Sequence, residues 1–170
     1  MKTLVVYFSN TGNTRTVAEV LVAYFNADIE EIRERKSRPL LRVPKEGEKP
    51  EGLSVMKAAM GGFLRLSSQI EAPRHDPSAY DLVIVGSPVW AGGLAPAVRS
   101  YLRKYRGKLR KAAFFCTAES PEKGHVFDQM RKLARNEPVA VMPVPVAEIR
   151  ENDVDARVSE FASRVSTASV

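Results

Sequence analysis

The chain has 170 residues, of which 44% are apolar, so it can bury one sizeable core but is too short for two ordinary domains. No stretch approaches the roughly 20 apolar residues that cross a bilayer, and the N-terminus carries no cleavable signal, which predicts a single cytoplasmic domain over residues 1–170. The net charge is +6, and the chain's one cysteine and two histidines exclude an internal disulfide and leave little material for a metal centre.

Apolar runs and helical spacing alternate along the chain. Strands are predicted at residues 3–8, 27–32, 82–86, 112–116 and 139–146, the second being the weakest. Helices are predicted at 14–25, from Pro96 to just before Gly107, around 127–134, and after a cap at Asn152 or Asp153. Because unbroken apolar strands alternate with helices, we expect an α/β fold whose doubly wound parallel sheet is covered on both faces.

A short polar loop joins the first predicted strand to the first predicted helix. It consists of Ser9, Asn10, Thr11, Gly12, Asn13 and Thr14. At such a corner the backbone N–H groups point outward together and the helix dipole favours an anion. Hydroxyls, amides and a permissive glycine therefore predict a phosphate held by neutral donors. The loop lacks both the Gly-Lys-Ser/Thr ending of a nucleoside triphosphate loop and the G-x-G-x-x-G pattern of a dinucleotide loop.

A long insert, about residues 33–79, separates the second and third predicted strands. Its first part is charged and interrupted by prolines, which predicts a loop. Met56, Met60, Phe63 and Leu64 then follow at helical spacing, which predicts a helix that covers the sheet. A lid or a dimer contact beside a ligand is the alternative, because long loops in compact domains are often functional. The sequence leaves monomer and homodimer open.

The third predicted strand runs into a small loop that carries the only tryptophan, in "DLVIVGSPVWAGGLAPAV". Trp90 is thus delivered to the carboxyl edge of the sheet, close to the first loop if the two strands are neighbours. There it serves either as a core plug or as a platform for a flat heterocycle, and the adjacent phosphate loop favours the platform. Ser9 and Ser87 stand where a phosphoacceptor receiver domain needs carboxylates, which argues against that class.

A basic stretch follows, and it raises the question of a nucleic-acid partner. Val98, Tyr101, Leu102 and Tyr105 fall at helical spacing, so the basic residues occupy the outer face of an amphipathic helix. We therefore expect a solvated face or a docking surface for an acidic protein rather than a nucleic-acid site. The basic residues are Arg99, Arg103, Lys104, Arg106, Lys108, Arg110 and Lys111.

Two of these motifs resemble those of the flavodoxin family. "VVYFSNTGNT" is similar to the family's S/T-x-T-G-x-T phosphate loop, and "GSPVWAG" resembles the tryptophan-bearing loop after its third strand. The resemblance covers nearly the whole chain and implies a flavodoxin-like five-stranded parallel sheet of order 2-1-3-4-5, with the long insert between strands 2 and 3. It also implies non-covalently bound FMN.

The resemblance assigns three loops to that cofactor. The phosphate would lie in the first loop, residues 9–14, and the isoalloxazine by Trp90. The third loop, after the fourth strand, would pass the pyrimidine edge of the flavin. Beyond the first loop, the implied cofactor-binding residues are Ser87, Pro88, Val89, Trp90, Ala91, Gly92, Thr117, Ala118, Glu119 and Ser120.

The implied function is low-potential electron transfer by an FMN-binding flavodoxin-like redox protein. No catalytic residue and no metal are assigned, because outer-sphere electron transfer needs no general acid or base. Two departures weaken a simple carrier: "TAESPEKGH" offers no aromatic residue in the third loop, and the chain is basic where carriers are usually acidic. The competing interpretation is an FMN-dependent NAD(P)H:quinone or flavin reductase. A flavin-free or sensory binding module is a third class.

Overall fold

The computed structural model describes residues 1–35, 67–90, 92–120 and 125–168. Within these ranges the chain forms six strands. They are β1 (Thr3–Tyr7), β2 (Asp28–Glu31), β3 (Leu82–Trp90), β4 (Gly93–Leu94), β5 (Lys111–Ala118) and β6 (Pro138–Pro145). All five strands predicted from apolar runs are present, because a sheet covered on both faces requires nearly continuous apolar sequence.

The sheet has the order β2-β1-β3-β5-β6, and these five strands are parallel. Val5 of β1 pairs with Ile29 on one side and with Ile84 on the other. The predicted order is confirmed. The additional strand β4 pairs antiparallel with the end of β3. The topological switch point lies between β1 and β3, whose chain connections leave in opposite directions across the sheet.

The described residues form five α-helices, and none of them combines the length and apolar character that a membrane span requires. They are α1 (Asn13–Phe25), α2 (Pro96–Lys104), α3 (His125–Ala134), α4 (Val146–Arg150) and α5 (Asp155–Thr167). The last helix begins at Asp155 with Val154 as its N-cap, rather than with the predicted cap at Asn152 or Asp153. The Asn152 N–H donates to the Ile149 carbonyl and the Asp153 N–H to that of Glu148, so both residues complete the last turn of α4.

The core has two halves, one on each face of the sheet. Alternate residues of β1 point to opposite faces, with Leu4 in one apolar cluster and Val5 in the other. Helices α2 and α3 cover the first face, where Leu102 is fully buried. Helices α1 and α5 cover the second, where Leu21 and Phe161 are buried. Both faces therefore exclude water, as the apolar pattern predicts.

Only the ends of the predicted insert fall within the described residues. The Arg35 N–H donates to the Gln69 carbonyl (2.9 Å), and the Glu71 N–H donates to the Arg33 carbonyl (2.8 Å). The insert thus leaves and rejoins the fold at one place, beside the end of β2. The helix predicted from the spacing of Met56, Met60, Phe63 and Leu64 lies outside the described residues.

From the sequence, Cys116 in its apolar run is expected to be a buried thiol, and His75 and His125 in polar stretches are expected to be surface side chains. Cys116 is 1% exposed, as predicted, and burial raises the pKa of its thiol to about 12. His125 is exposed at the start of α3. His75 is partly exposed, with 31% of its side chain accessible, and its Nδ1 lies 2.7 Å from Oε2 of the buried Glu30 because the chain after the insert returns against β2.

Candidate functional site

The loop between β1 and α1 has the conformation of an anion-binding corner. Gly12 precedes the helix with φ +98°, a left-handed conformation that residues with a Cβ rarely adopt. The space in front of its Cα is open, since a Cβ built there would meet no atom within 4 Å. Ser9 holds the turn: its Oγ accepts from the N–H groups of Gly12 (3.2 Å) and Arg15 (3.3 Å).

Further neutral donors follow directly after Gly12. The first N–H groups of a helix have no intrahelical acceptor, and those of Asn13 and Thr14 open α1. The helix dipole adds partial positive charge at the same end. The loop therefore suits an anionic group that is bound by backbone amides and hydroxyls.

A buried hydroxyl pair connects this loop to the third one. Thr14 Oγ1 lies 2.8 Å from Thr117 Oγ1, and the two residues are 1% and 3% exposed. Thr117 stands near the end of β5, so the third loop begins directly beside the phosphate loop. Predicted site residues that are 103 positions apart in sequence are thus brought into contact.

The second predicted loop is a β-hairpin rather than an irregular loop. Strand β3 continues past its predicted end at Gly86 because Val89 pairs with Leu94 and Trp90 with Gly93 of β4. Gly92 turns the hairpin with φ +75°; Ala91 lies outside the described residues. Pro88 extends the parallel ladder opposite Thr117.

Ser87 supports this hairpin from within. It is fully buried, its Oγ accepts from the Ala95 N–H (3.3 Å), and its hydroxyl donates to the Pro88 carbonyl (2.9 Å). Its expected contact with a cofactor stays a prediction. The role that the geometry shows is to fix the chain on both sides of the hairpin.

Trp90 lies at the rim of the core. It is partly buried, and its ring contacts that of Phe8 edge to face, with centroids 5.8 Å apart and planes at 81°. Phe8, the residue after β1, is held by its N–H, which donates to the Gly86 carbonyl (3.3 Å). The indole is therefore not a fully buried plug, and it stands on the β3 side of the switch point with the phosphate loop on the β1 side.

The third loop leaves the sheet toward α4. Thr117 and Ala118 still belong to β5, whereas Glu119 and Ser120 are exposed. The Glu119 carboxylate accepts from Arg150 Nη2 of α4 at 3.1 Å, which directs it along the surface. Of the predicted residues in this loop, Thr117 is the one that forms a side-chain hydrogen bond with the first loop within the described residues.

Arg15 is a further residue at this site, which the sequence analysis did not single out. Its Nη2 donates to Glu31 Oε1 (2.6 Å) and its Nε to the Tyr7 hydroxyl (3.3 Å). The hydrogen bond to Glu31 is the main reason why the pKa of Arg15 is raised. Its sequence signal is that it is the only cation between Lys2 and Arg33 and directly follows Thr14.

Solved structures share this architecture. A proposed flavoprotein of Bacteroides eggerthii matches with a TM-score of 0.67 and 21% identity, covering 92% of this chain and 97% of its own. A flavoprotein of Lactobacillus acidophilus in complex with FMN matches with a TM-score of 0.57 and 21% identity, and the match covers 88% of this chain and 97% of that protein. Oxidised Flavodoxin 2 of Bacillus cereus matches with a TM-score of 0.55 and 21% identity, and the match covers 98% of this chain and 99% of that protein. At these identities the likeness shows the fold.

No curated protein matches the chain. The sequence pattern of the Flavodoxin domain family matches residues 53–162, which is well over half of the chain and includes the Trp90 hairpin and Thr117. The phosphate-type loop precedes the matched segment, so its agreement with the family rests on its own residues and geometry. Together, the matched segment and the sheet order place this chain in the flavodoxin domain family.

Proposed function

We propose that this protein binds FMN non-covalently and transfers electrons at low potential. One observation carries the proposal: the Ser9–Thr14 corner, backed by the Thr14–Thr117 contact, and the half-buried Trp90 stand on opposite sides of the switch point. In doubly wound sheets, ligands bind in the crevice outside the carboxyl ends of the strands at this point. The FMN complex of the Lactobacillus acidophilus protein supports the choice of cofactor.

The residues present fit the phosphate of such a cofactor. Gly12 leaves space above the loop, and the N–H groups of Asn13 and Thr14 supply donors without a competing negative charge in the loop. Ser9 keeps the turn in place by accepting two N–H groups. Residues 9–14 contain no carboxylate, so nothing in the loop repels a phosphate.

FMN, when bound, supplies the redox chemistry, and the protein binds, orients and electrostatically tunes it. Trp90 offers an aromatic surface edged by Phe8, which excludes water from one side of a flat ring. Arg15, the cation that follows the phosphate loop, forms hydrogen bonds with Glu31 and Tyr7. Its charge is thereby partly neutralised, and a site with little free positive charge disfavours added negative charge on a ring, which supports a low potential.

We further propose an acidic protein as redox partner. The chain carries +6, and the outer face of α2 and the residues after it bring exposed cations such as Lys104 and Arg106. Complementary charge raises the rate of encounter more than it raises affinity. A transfer rate that does not depend on salt would argue against this partner.

The alternative function is an FMN-dependent NAD(P)H:quinone or flavin reductase. Its supporting observation is the third loop, where Glu119 and Ser120 are exposed and neither is aromatic. A flavin face left accessible on that side would admit a nicotinamide or a quinone. A carrier does not need this access.

Two measurements test the proposal. Titration of the purified protein with FMN, followed by Trp90 fluorescence, is expected to show saturable quenching; a colourless protein that takes up no FMN would favour a flavin-free binding module. The FMN-loaded protein is then mixed with NADPH in a stopped-flow instrument and given a quinone. Slow or absent bleaching supports the carrier, whereas rapid bleaching with turnover shows a reductase.

A further inference from the structure

A second polar contact lies outside the crevice, where residues 67 and 68 cross α2. The Ser100 hydroxyl donates to the Ser68 carbonyl (2.6 Å), and Arg103 Nη1 donates to Ser67 Oγ (2.5 Å). This segment therefore lies against the side of α2 that carries Arg99, Ser100 and Arg103. None of these residues takes part in the site described above.

Two polar atoms in this contact have no hydrogen-bond partner among the described residues. Arg99 Nε and Ser68 Oγ are buried and make no hydrogen bond within the described residues. The Nε of arginine can only donate, so what it lacks is an acceptor. The amide oxygen of Gln129 accepts hydrogen bonds from Arg99 Nη2 (3.0 Å) and from the Leu94 N–H (3.4 Å). This acceptor is therefore already shared by two donors.

The missing acceptor is expected to be an anion. Neither Arg99 nor Arg103 is bonded to a carboxylate in the described part of the chain, and the two stand one turn apart on α2. Burial, reinforced by the charge of Arg103, lowers the pKa of Arg99. A partly buried cation with a second cation beside it is costly unless it is paired, and buried polar groups in folded proteins are almost always satisfied.

We propose that Arg99, Arg103 and Ser68 bind a small oxyanion, a phosphate or carboxylate group carried by a small molecule. Two guanidinium groups and a hydroxyl provide donors of the kind that bind such groups. The unpartnered atoms are buried, so the surface of another protein does not reach them, and a small group is the ligand that fits. This site does not depend on FMN.

The site lies on the same side of the molecule as the Trp90 hairpin. Arg99 is the fourth residue of α2, which begins at the carboxyl edge of the sheet. Gln129 contacts both Arg99 and the N–H of Leu94, the residue of β4 that pairs with Val89. A small molecule anchored here by its oxyanion would therefore lie beside the hairpin, and its binding would be sensed by the only tryptophan.

The test uses the FMN-loaded protein, in which the phosphate loop is already filled. Inorganic phosphate and, separately, acetate are titrated at constant ionic strength by calorimetry and by Trp90 fluorescence. We expect saturable binding of at least one of them, with a dissociation constant on the order of 1 mM. Arg99→Gln is expected to weaken it at least tenfold. A preference for phosphate or for acetate identifies the source of the oxyanion.

The matched control is Arg110→Gln, which removes an exposed cation before β5, at the opposite edge of the sheet. It is expected to leave the titration unchanged. If Arg99→Gln fails to fold, Arg103→Gln, on an exposed side chain, is expected to weaken binding as well. The proposal is overturned if neither anion binds saturably, or if Arg110→Gln weakens binding as much as Arg99→Gln.

Should the protein take up no FMN, the same variants are compared without it, together with Gly12→Ala. Anion binding that survives Gly12→Ala and is lost in Arg99→Gln would support this site while the FMN proposal fails. Binding lost only in Gly12→Ala would overturn this site and leave the phosphate loop as the anion-binding corner.

Discussion

Gly12 and Gly107 share a left-handed backbone, with φ +98° and +70°, and an added Cβ would meet no atom within 4 Å at either position. Only Gly12 lies in the phosphate loop. A left-handed residue with a Cβ is strained by roughly 1–2 kcal/mol, so Gly12→Ala and Gly107→Ala are expected to lower the free energy of unfolding by similar amounts in urea titrations. Gly12→Ala alone is expected to weaken FMN binding, by about tenfold, because relief of the strain shifts the loop N–H groups.

Gly107→Ala serves as the control for backbone strain without a site. Equal loss of FMN affinity in the two variants would mean that affinity follows global stability. In that case the corner at Gly12 would not be the phosphate site.

Thr117 tests how the two loops are coupled. Its hydroxyl can donate to Thr14 Oγ1 at 2.8 Å, which leaves the proton of Thr14 for a phosphate. Thr117→Val keeps the shape and removes the hydroxyl, and it is expected to weaken FMN binding about three- to tenfold, since a neutral hydrogen bond contributes about 1 kcal/mol. Thr117→Ser is expected to restore most of the affinity. If the Thr117→Val and Thr117→Ser variants bind FMN equally well, the Thr117 hydroxyl has no role in binding.

The Cys116 thiol gives a pH dependence with a definite sign. Its pKa in the folded protein is about 12, above the value of roughly 8.5 in an unfolded chain. The resulting stabilisation is complete below pH 8.5 and is lost as pH rises toward 12, because only the unfolded chain then releases the proton. From pH 8 to pH 10 the wild type should lose more free energy of unfolding than Cys116→Ala. Parallel curves would contradict the buried protonated thiol.

At the scale of elements, the apolar pattern predicted the strands better than it predicted their ends. Residues 82–86 read as a strand, but β3 continues to Trp90 because β4 pairs back onto it through a turn at Gly92. That extension depends on a two-residue strand and one positive φ, which an apolar run does not reveal. Similarly, the N–H groups of Asn152 and Asp153 donate to carbonyls at the end of α4. The sequence had suggested one of these residues as the cap of α5.

The edge strand β2 is tied to the returning end of the insert by one carboxylate. Glu30, 4% exposed, accepts from the N–H groups of Arg74 and His75 (both 3.1 Å) and contacts His75 Nδ1. Glu30→Ala leaves these donors unsatisfied and is expected to lower the free energy of unfolding by about 2–3 kcal/mol. The control is Glu137→Ala. The Glu137 side chain is 77% exposed and forms an ion pair with Arg131, so the expected loss of free energy of unfolding is below about 1 kcal/mol. Equal losses in urea titrations would contradict a tie at Glu30.

At the scale of the whole molecule, the alternation of strands and helices was sufficient to predict a parallel sheet, and the family resemblance supplied its order. Neither the alternation of elements nor the family resemblance predicted contacts between side chains that are distant in sequence. Glu30 meets His75 across 45 positions and Thr14 meets Thr117 across 103, and no local pattern encodes such pairs. Trp90 could be assigned to the correct edge because parallel strands end together, but its contact with Phe8 required the packed structure.

The direction of α2 separates most of the positive charge from the candidate site. The helix starts at the carboxyl edge with Pro96 and ends with Lys104, and the basic residues that follow precede β5. Strand β5 has eight residues, which at roughly 3.3 Å each span about 25 Å. Cations such as Arg106 therefore lie at the amino edge, far from the crevice, where they raise the rate of encounter with an acidic partner without holding it against the flavin site. Arg33, in contrast, follows β2 at the carboxyl edge.

This separation predicts two different salt dependences. In the reduced FMN-loaded protein, the rate of oxidation by ferricyanide, a small anion, is measured for Arg33→Glu and Arg106→Glu; both positions are exposed. At 10 mM salt the Debye length of about 30 Å lets both charges act, so both variants are expected to be slower than the wild type. At 0.15 M it is about 8 Å, so only Arg33→Glu should stay slower, because only its charge lies within reach of the crevice. A persistent effect of Arg106→Glu at 0.15 M would instead place the site of electron exit near the amino edge.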